Sequence, residues 1–228
     1  MSQLGIRYQA IVDRVENAAR AAGRDSSEIT LIVVTKNHPA SLVQELIELG
    51  AGDFGENKDQ EAALKAKELA DLSSVDVNWH FIGQLQTNKV KSVLGYANFI
   101  HSLDRDSLLA ELVKRTAERE IPLKVFIQVN LTQDQGRGGV EPEALESFAE
   151  RVLASSGLEL MGVMGVAGLD VSPEAEFERL ARMSEKLQNL APDAKYVSMG
   201  MSSDFEQAIG YGATHLRIGS AITGIRPT

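Results

Sequence analysis

The chain has 228 residues, no cysteine, and a formal net charge of −9 from 32 acidic against 23 basic side chains. That balance argues against a broad nucleic-acid footprint, which needs clustered Lys and Arg, and the missing cysteine excludes a disulfide framework, a thiolate metal site and a thiol nucleophile. No apolar run approaches the roughly 20 residues of a membrane span, and the opening "MSQLGIRYQAIVDR" lacks the basic-then-apolar order of a signal peptide, so a cytoplasmic protein with no membrane partner is expected.

The first element is a helix. Leu4, Tyr8, Ile11, Val12, Val15, Ala18, Ala19 and Ala22 follow helical spacing, and Gly23 stops it. Strand-like runs then alternate with amphipathic helices. They read "TLIVVTK" (30–36), "DFGEN" (53–57), "WHFIG" (79–83), "FIHSLD" (99–104), "LKVFIQVN" (123–130), "LELMGVMGV" (158–166), "YVSMGMS" (196–202) and "HLRIGSAI" (215–222). Pro39, Pro142 and Ser172-Pro173 mark helix starts between them. Eight strands alternating with helices predict an α/β protein with a parallel sheet closed into a (β/α)8 TIM-type barrel. An open doubly wound sheet is the alternative. The runs look apolar throughout, as strands covered on both faces do. The chain reaches Thr228 too soon after the eighth run for a full final helix, and the extra N-terminal helix is expected to cover that gap.

In such barrels the chemistry sits at the C-terminal ends of the strands. Here those ends carry Lys36, Glu56-Asn57, Gly83-Gln84, Ser102, Asn130, Ser198 with Ser202, and Arg217 with Gly219-Ser220. "SMGMSSD" and "RIGSAITG" follow strands seven and eight, where barrels often bind phosphate. Their glycines let backbone N–H groups approach an anion, and their serines add hydroxyl donors. The helix "SSDFEQAIGYG" would take Ser202 or Ser203 as its cap. A partly desolvated lysine at the mouth is a nucleophile toward carbonyls. An aldehyde that carries a phosphate, such as pyridoxal phosphate, would engage both ends of this arrangement. Arg217 can only donate hydrogen bonds. Facing the pyridine nitrogen, it would keep that atom unprotonated and weaken the ring as an electron sink.

With these segments in place the chain resembles the pyridoxal-phosphate homeostasis proteins, single-domain relatives of the alanine racemase N-terminal barrel. The resemblance runs from about Ile29 to Gly224 on "VVTK", "FGEN", "WHFIGQLQTNK", "HSLD", "QVN", "SMGMSSDFEQAI" and "THLRIGSAITG". It implies one alanine-racemase-N-terminal-like barrel domain over residues 1–228. It also implies pyridoxal 5′-phosphate bound as a Schiff base on Lys36, with Arg217 at the pyridine nitrogen and the phosphate on Ser198, Ser202, Gly219 and Ser220. Asn57 and His80 carry over as neighbours of the cofactor, and no metal is implied. Thr35 stands where serine is usual, Lys58-Asp59 and Arg137 depart from the common pattern, and "MGVAGLD" lacks the proline often found after the sixth strand.

Racemisation needs an acid and a base on opposite faces of the substrate carbon. In the racemases that this chain resembles, one of them is a tyrosine from a second, all-β domain. Of the four tyrosines here none falls at a strand end, and Tyr196 begins the seventh strand. The expectation is therefore a non-catalytic, monomeric carrier that holds the cofactor as a lysine aldimine, maintains its homeostasis and passes it to apo pyridoxal-phosphate enzymes. An amino-acid racemase or other pyridoxal-phosphate enzyme is the alternative, and a Schiff-base aldolase on the same fold is a second one.

Overall fold

A computed structural model describes residues 2–72, 77–132, 138–168 and 172–224. Arg137 and residues 169–170 of the "MGVAGLD" segment lie outside the described residues. Helix α1 (Gln3–Ala21) opens the chain, with the Ser2 hydroxyl accepting from the Gly5 N–H at 3.0 Å as its cap. It ends before Gly23, whose φ of +68° is the left-handed conformation that glycine adopts without penalty.

The alternation that follows is β1 (Thr30–Val34), α2 (Ala40–Glu48), β2 (Asp53–Glu56), α3 (Asp59–Leu72), β3 (Asn78–Phe81), α4 (Val90–Val93), β4 (Phe99–Leu103) and α5 (Asp106–Thr116). Then come β5 (Leu123–Gln128), α6 (Leu145–Leu153), β6 (Leu158–Met164), α7 (Pro173–Leu190), β7 (Tyr196–Ser198), α8 (Phe205–Gly210), β8 (His215–Ile218) and α9 (Ser220–Thr223). All neighbouring strands pair in parallel, and β8 closes on β1 through Thr30–His215 to Val33–Ile218, so the sheet is a closed eight-stranded barrel. The (β/α)8 expectation holds, and the open sheet does not.

Several strands are shorter than the apolar runs that announced them. The "GSAI" segment leaves the sheet after Ile218 to form α9, and "MGMS" leaves it after Ser198. Both departures happen at the C-terminal ends, where the sheet frays into loops that can hold a ligand. The expected role of α1 is also met. Arg7 Nε donates to the Ile222 carbonyl at 2.6 Å and Arg14 pairs with Glu206 at 2.9 Å, which docks α1 across α8 and α9.

The strands are not apolar on both faces. Val33, Phe54, Ile100, Ile127, Val163 and Leu216 face the helices and join the main core. The alternate set turns to the barrel axis, where a small separate cluster of Phe99, Phe126, Met161 and Met164 packs beside histidine rings. His80 stacks on Phe99 and His101 on Phe126, with ring centroids 4.2 and 4.4 Å apart. Among the described residues no helix is long and apolar enough to cross a membrane.

Candidate functional site

At the C-terminal end of the barrel lies a cavity of about 310 Å³. Lys36 enters it from the turn after β1, Arg217 from within β8, and Ser202, Ser203, Gly219 and Ser220 from the loops after β7 and β8. Val34, Ile82 and Met201 supply apolar wall, and His38 and Thr223 complete the polar part. Two cations and four hydroxyls thus line the cavity, and no carboxylate does among the described residues, although the chain carries nine more acidic than basic side chains.

Of the eight site residues expected from sequence, Lys36, Ser202, Arg217, Gly219 and Ser220 meet in this cavity. Asn57, His80 and Ser198 do not line it. Asn57 follows β2, and its Oδ1 is buried without a hydrogen-bond partner. Ser198 is fully buried beneath Arg217, whose Nη1 donates to its Oγ at 2.6 Å, while Nη2 donates to the Gly165 carbonyl at 2.8 Å. His80 lies deeper still, 1% exposed, between Asp53 Oδ1 and His101 Nε2, each at 2.9 Å. His101 Nδ1 in turn meets Ser198 Oγ at 2.9 Å.

The loops are shaped by local chemistry. Met201 N–H donates to Asp204 Oδ1 at 2.6 Å, which closes the 201–204 turn and turns Ser202 and Ser203 toward the cavity. Asp204, not either serine, is the N-cap of α8, and its side chain serves the turn and makes no capping bond. The Ser202 hydroxyl reaches across to the next loop, accepting from Ala221 N–H at 3.4 Å. Gly200 has φ +90°, and a Cβ there would lie 2.7 Å from Ala208 Cβ, so the loop after β7 needs glycine on both counts.

This barrel, with a lysine after its first strand and glycine-serine loops after its last two, matches the model of the family "Alanine racemase, N-terminal domain" over residues 6–227. The pyridoxal phosphate homeostasis protein of Pseudomonas aeruginosa is 39% identical over 226 residues, covering 99% of this chain and 97% of that one. The chain belongs to the alanine racemase N-terminal domain family, among the pyridoxal phosphate homeostasis proteins. PipY of Synechococcus elongatus, solved with pyridoxal phosphate bound, is 33% identical with a TM-score of 0.81 over 92% of this chain and all 100% of that one. Alanine racemase of Corynebacterium glutamicum shares the fold alone, at 15% identity and a TM-score of 0.70, over 96% of this chain and 61% of the racemase chain.

Within this family barrel, a buried cluster that sequence reasoning missed fixes the turn bearing Lys36. Lys65 Nζ, on α3, donates to the Thr35 carbonyl at 2.7 Å, to Glu56 Oε1 at 2.7 Å and to Glu61 Oε1 at 2.6 Å. The Thr35 hydroxyl donates to the same Glu56 oxygen at 2.7 Å, and Glu61 also accepts from the Asn37 N–H. Asn37 has φ +62°, a conformation that asparagine tolerates better than most residues. Held between Thr35 and Asn37, the backbone of Lys36 is clamped while its amine has no hydrogen-bond or ion-pair partner among the described residues. The Glu61–Lys65 spacing was visible as a helical i,i+4 pair, but nothing in the sequence marks it as buried.

Burial sets the electrostatics. It pushes the Glu56 carboxyl up, against the opposing pull of Lys65 and Thr35. It brings the Arg217 guanidinium down to about 10, with the Asp204 carboxylate opposing, so Arg217 remains a cation at neutral pH. His80 and His101 are both pushed below the ordinary imidazole range, chiefly by burial, and His101 further by His80, His215 and Arg217.

Proposed function

We propose that this chain binds pyridoxal 5′-phosphate in the cavity at the C-terminal end of the barrel and acts as a non-catalytic carrier of it. The observation that carries this is the lining: among the described residues, a primary amine without a partner, a buried guanidinium and four hydroxyls, with no carboxylate, in a strongly acidic chain. Such a donor set suits a dianionic phosphate joined to an aldehyde. When bound, the cofactor supplies an aldehyde that condenses with a primary amine. Lys36 is the amine positioned for it, because its backbone is clamped and its side chain is directed into the cavity. Ser202, Ser220 and the backbone of Gly219 hold the phosphate, and Arg217 faces the ring from the cavity floor. Ser198 contributes from below, by holding Arg217. The names of the relatives and the cofactor in PipY support the same assignment. On this proposal residues 1–228 act as one monomeric domain in the cytoplasm that hands its cofactor to apo pyridoxal-phosphate enzymes.

Purified chain mixed with the cofactor should show a visible absorbance that borohydride bleaches, with the cofactor's mass then on the peptide containing Lys36 and absent from Lys36→Ala. Label found on Lys58, Lys89 or Lys91 instead overturns the assignment. The enzyme alternative needs a second group to handle a proton, and His38 in the lining has that chemistry. Sustained conversion of L-alanine to D-alanine, lost in Lys36→Ala, would replace the carrier by a racemase. Restoration of an apo pyridoxal-phosphate enzyme by the loaded protein, with no such conversion, supports the carrier.

A further inference from the structure

The barrel interior holds a continuous polar thread beneath the cavity, which it meets only at Arg217. It runs from Asp53, at the N-terminal start of β2, through His80 and His101 to Ser198 and Arg217, and every link is 2.6–2.9 Å long. Its direction follows from donor and acceptor counting. Asp53 Oδ1 already accepts from Asn78 Nδ2 at 3.1 Å, so it is an acceptor for His80 Nε2–H as well. A neutral His80 then has only Nδ1 as a lone pair, which accepts from His101 Nε2–H. A neutral His101 likewise has only Nδ1 left, and that atom accepts the Ser198 hydroxyl proton. Ser198 Oγ is thereby left to accept from Arg217 Nη1. Every hydrogen bond points the same way, from the guanidinium at the cavity to the carboxylate at the opposite end of the barrel.

We infer that Asp53 is a positioning residue for Arg217, acting as its remote counter-ion through His80, His101 and Ser198. A chain that ends on an anion polarises each link in turn and strengthens the acceptor at its far end. Ser198 therefore holds Arg217 Nη1 more firmly than an isolated hydroxyl does, and with Nη2 on the Gly165 carbonyl the guanidinium keeps its remaining N–H groups for the cavity. The inference rests on the proposed role of Arg217 toward the cofactor, but the thread itself belongs to the protein alone. The charged and titratable groups that face the two rings are Asp53, Lys124, His215 and Arg217, and both rings are buried to 1% exposure or less, which keeps them neutral.

Nitrogen-15 spectra of the histidine rings in the cofactor-free protein test the direction. His80 and His101 should each show one neutral form with the proton on Nε2. A doubly protonated His80, or a proton on His101 Nδ1, overturns the inference. Guanidinium resonances of Arg217 test the coupling. Asp53→Asn, which keeps an acceptor and removes the charge, should shift them in the wild-type background and leave them unmoved in a Ser198→Ala background. Equal shifts in both backgrounds, or none in either, refute action through the thread. Asp53→Ser, which also removes the reach to His80, is the second variant if Asp53→Asn does not fold. Neither measurement involves the cofactor, so failure of cofactor binding and failure of the thread are read separately.

Discussion

Replacing Lys65 by methionine removes a cation and leaves two carboxylates behind it. Lys65 and Glu56 have side-chain exposures of 6% and 1%, so they fall in the class where deleting one partner of a buried pair costs about 3–5 kcal/mol. Glu61 is 24% exposed and can turn to water, so it adds less. Methionine keeps the length and the apolar contacts of the lysine stem, and little packing is lost. The deficit should depend on pH in a set direction. Burial already raises the Glu56 carboxyl, and Lys65 is the first of the groups that oppose it. Without Lys65 the folded-state value rises further above that of the unfolded chain, so the folded protein binds the proton more tightly. Destabilisation is then greatest at high pH and shrinks as the pH falls toward the ordinary carboxylate range. Urea midpoints should give a loss of about 3 kcal/mol or more near pH 8 and less than about half of that near pH 5. Adding Glu56→Gln, whose amide oxygen can still accept from Thr35, should restore most of the loss. A deficit that is the same at both pH values, or two single-variant losses that simply add, would refute the reasoning. Because Lys65 also holds the Thr35 carbonyl, the single variant should weaken cofactor retention beyond its effect on folding.

The histidines of the barrel interior make acid a threat to the fold. His80, His101 and His215 all sit below the ordinary imidazole value through burial, His215 at about 3, so the unfolded chain binds protons that the folded chain refuses. Their contribution is whole above about pH 6.5, and up to about 1.4 kcal/mol per histidine should be lost for each unit below it. Thermal midpoints that stay level from pH 7 to pH 5 would contradict this. Gly83→Ala should cost about 1–3 kcal/mol in urea unfolding, since a Cβ there would lie 2.3 Å from the Asn57 carbonyl oxygen, a backbone atom that cannot swing aside. A fully stable variant would mean that the ends of β2 and β3 are less tightly apposed. Ser202→Ala with Ser220→Ala should cut the preference for pyridoxal phosphate over pyridoxal by about 10- to 100-fold per hydrogen bond lost, the equivalent of roughly 1.5–3 kcal/mol. Equilibrium dialysis with both aldehydes reads that ratio, and an unchanged ratio would remove the serines from the phosphate site.

Much of the architecture was legible because barrel formation rests on periodicity and punctuation. Eight apolar runs, the helix starts at Pro39, Pro142 and Pro173, and the stop at Gly23 are local signals, and the barrel followed from their count. The strand-end rule likewise brought Lys36, Ser202, Arg217, Gly219 and Ser220 to one mouth, because a parallel barrel delivers every C-terminal strand end to the same face. Pairing across the barrel lay beyond sequence. Ser198 read as a site residue from its strand end and His80 only through the resemblance, yet inward-facing positions stack in layers, and one layer down a side chain supports the cavity floor instead of lining it. Asp53 reads as a strand start, and Lys65 carries no signal beyond its helical spacing from Glu61. Only the closed sheet and the packing of α3 against β2 turn them inward, because burial and partners separated by 9 to 97 positions in the chain are properties of the assembled barrel and not of any local stretch.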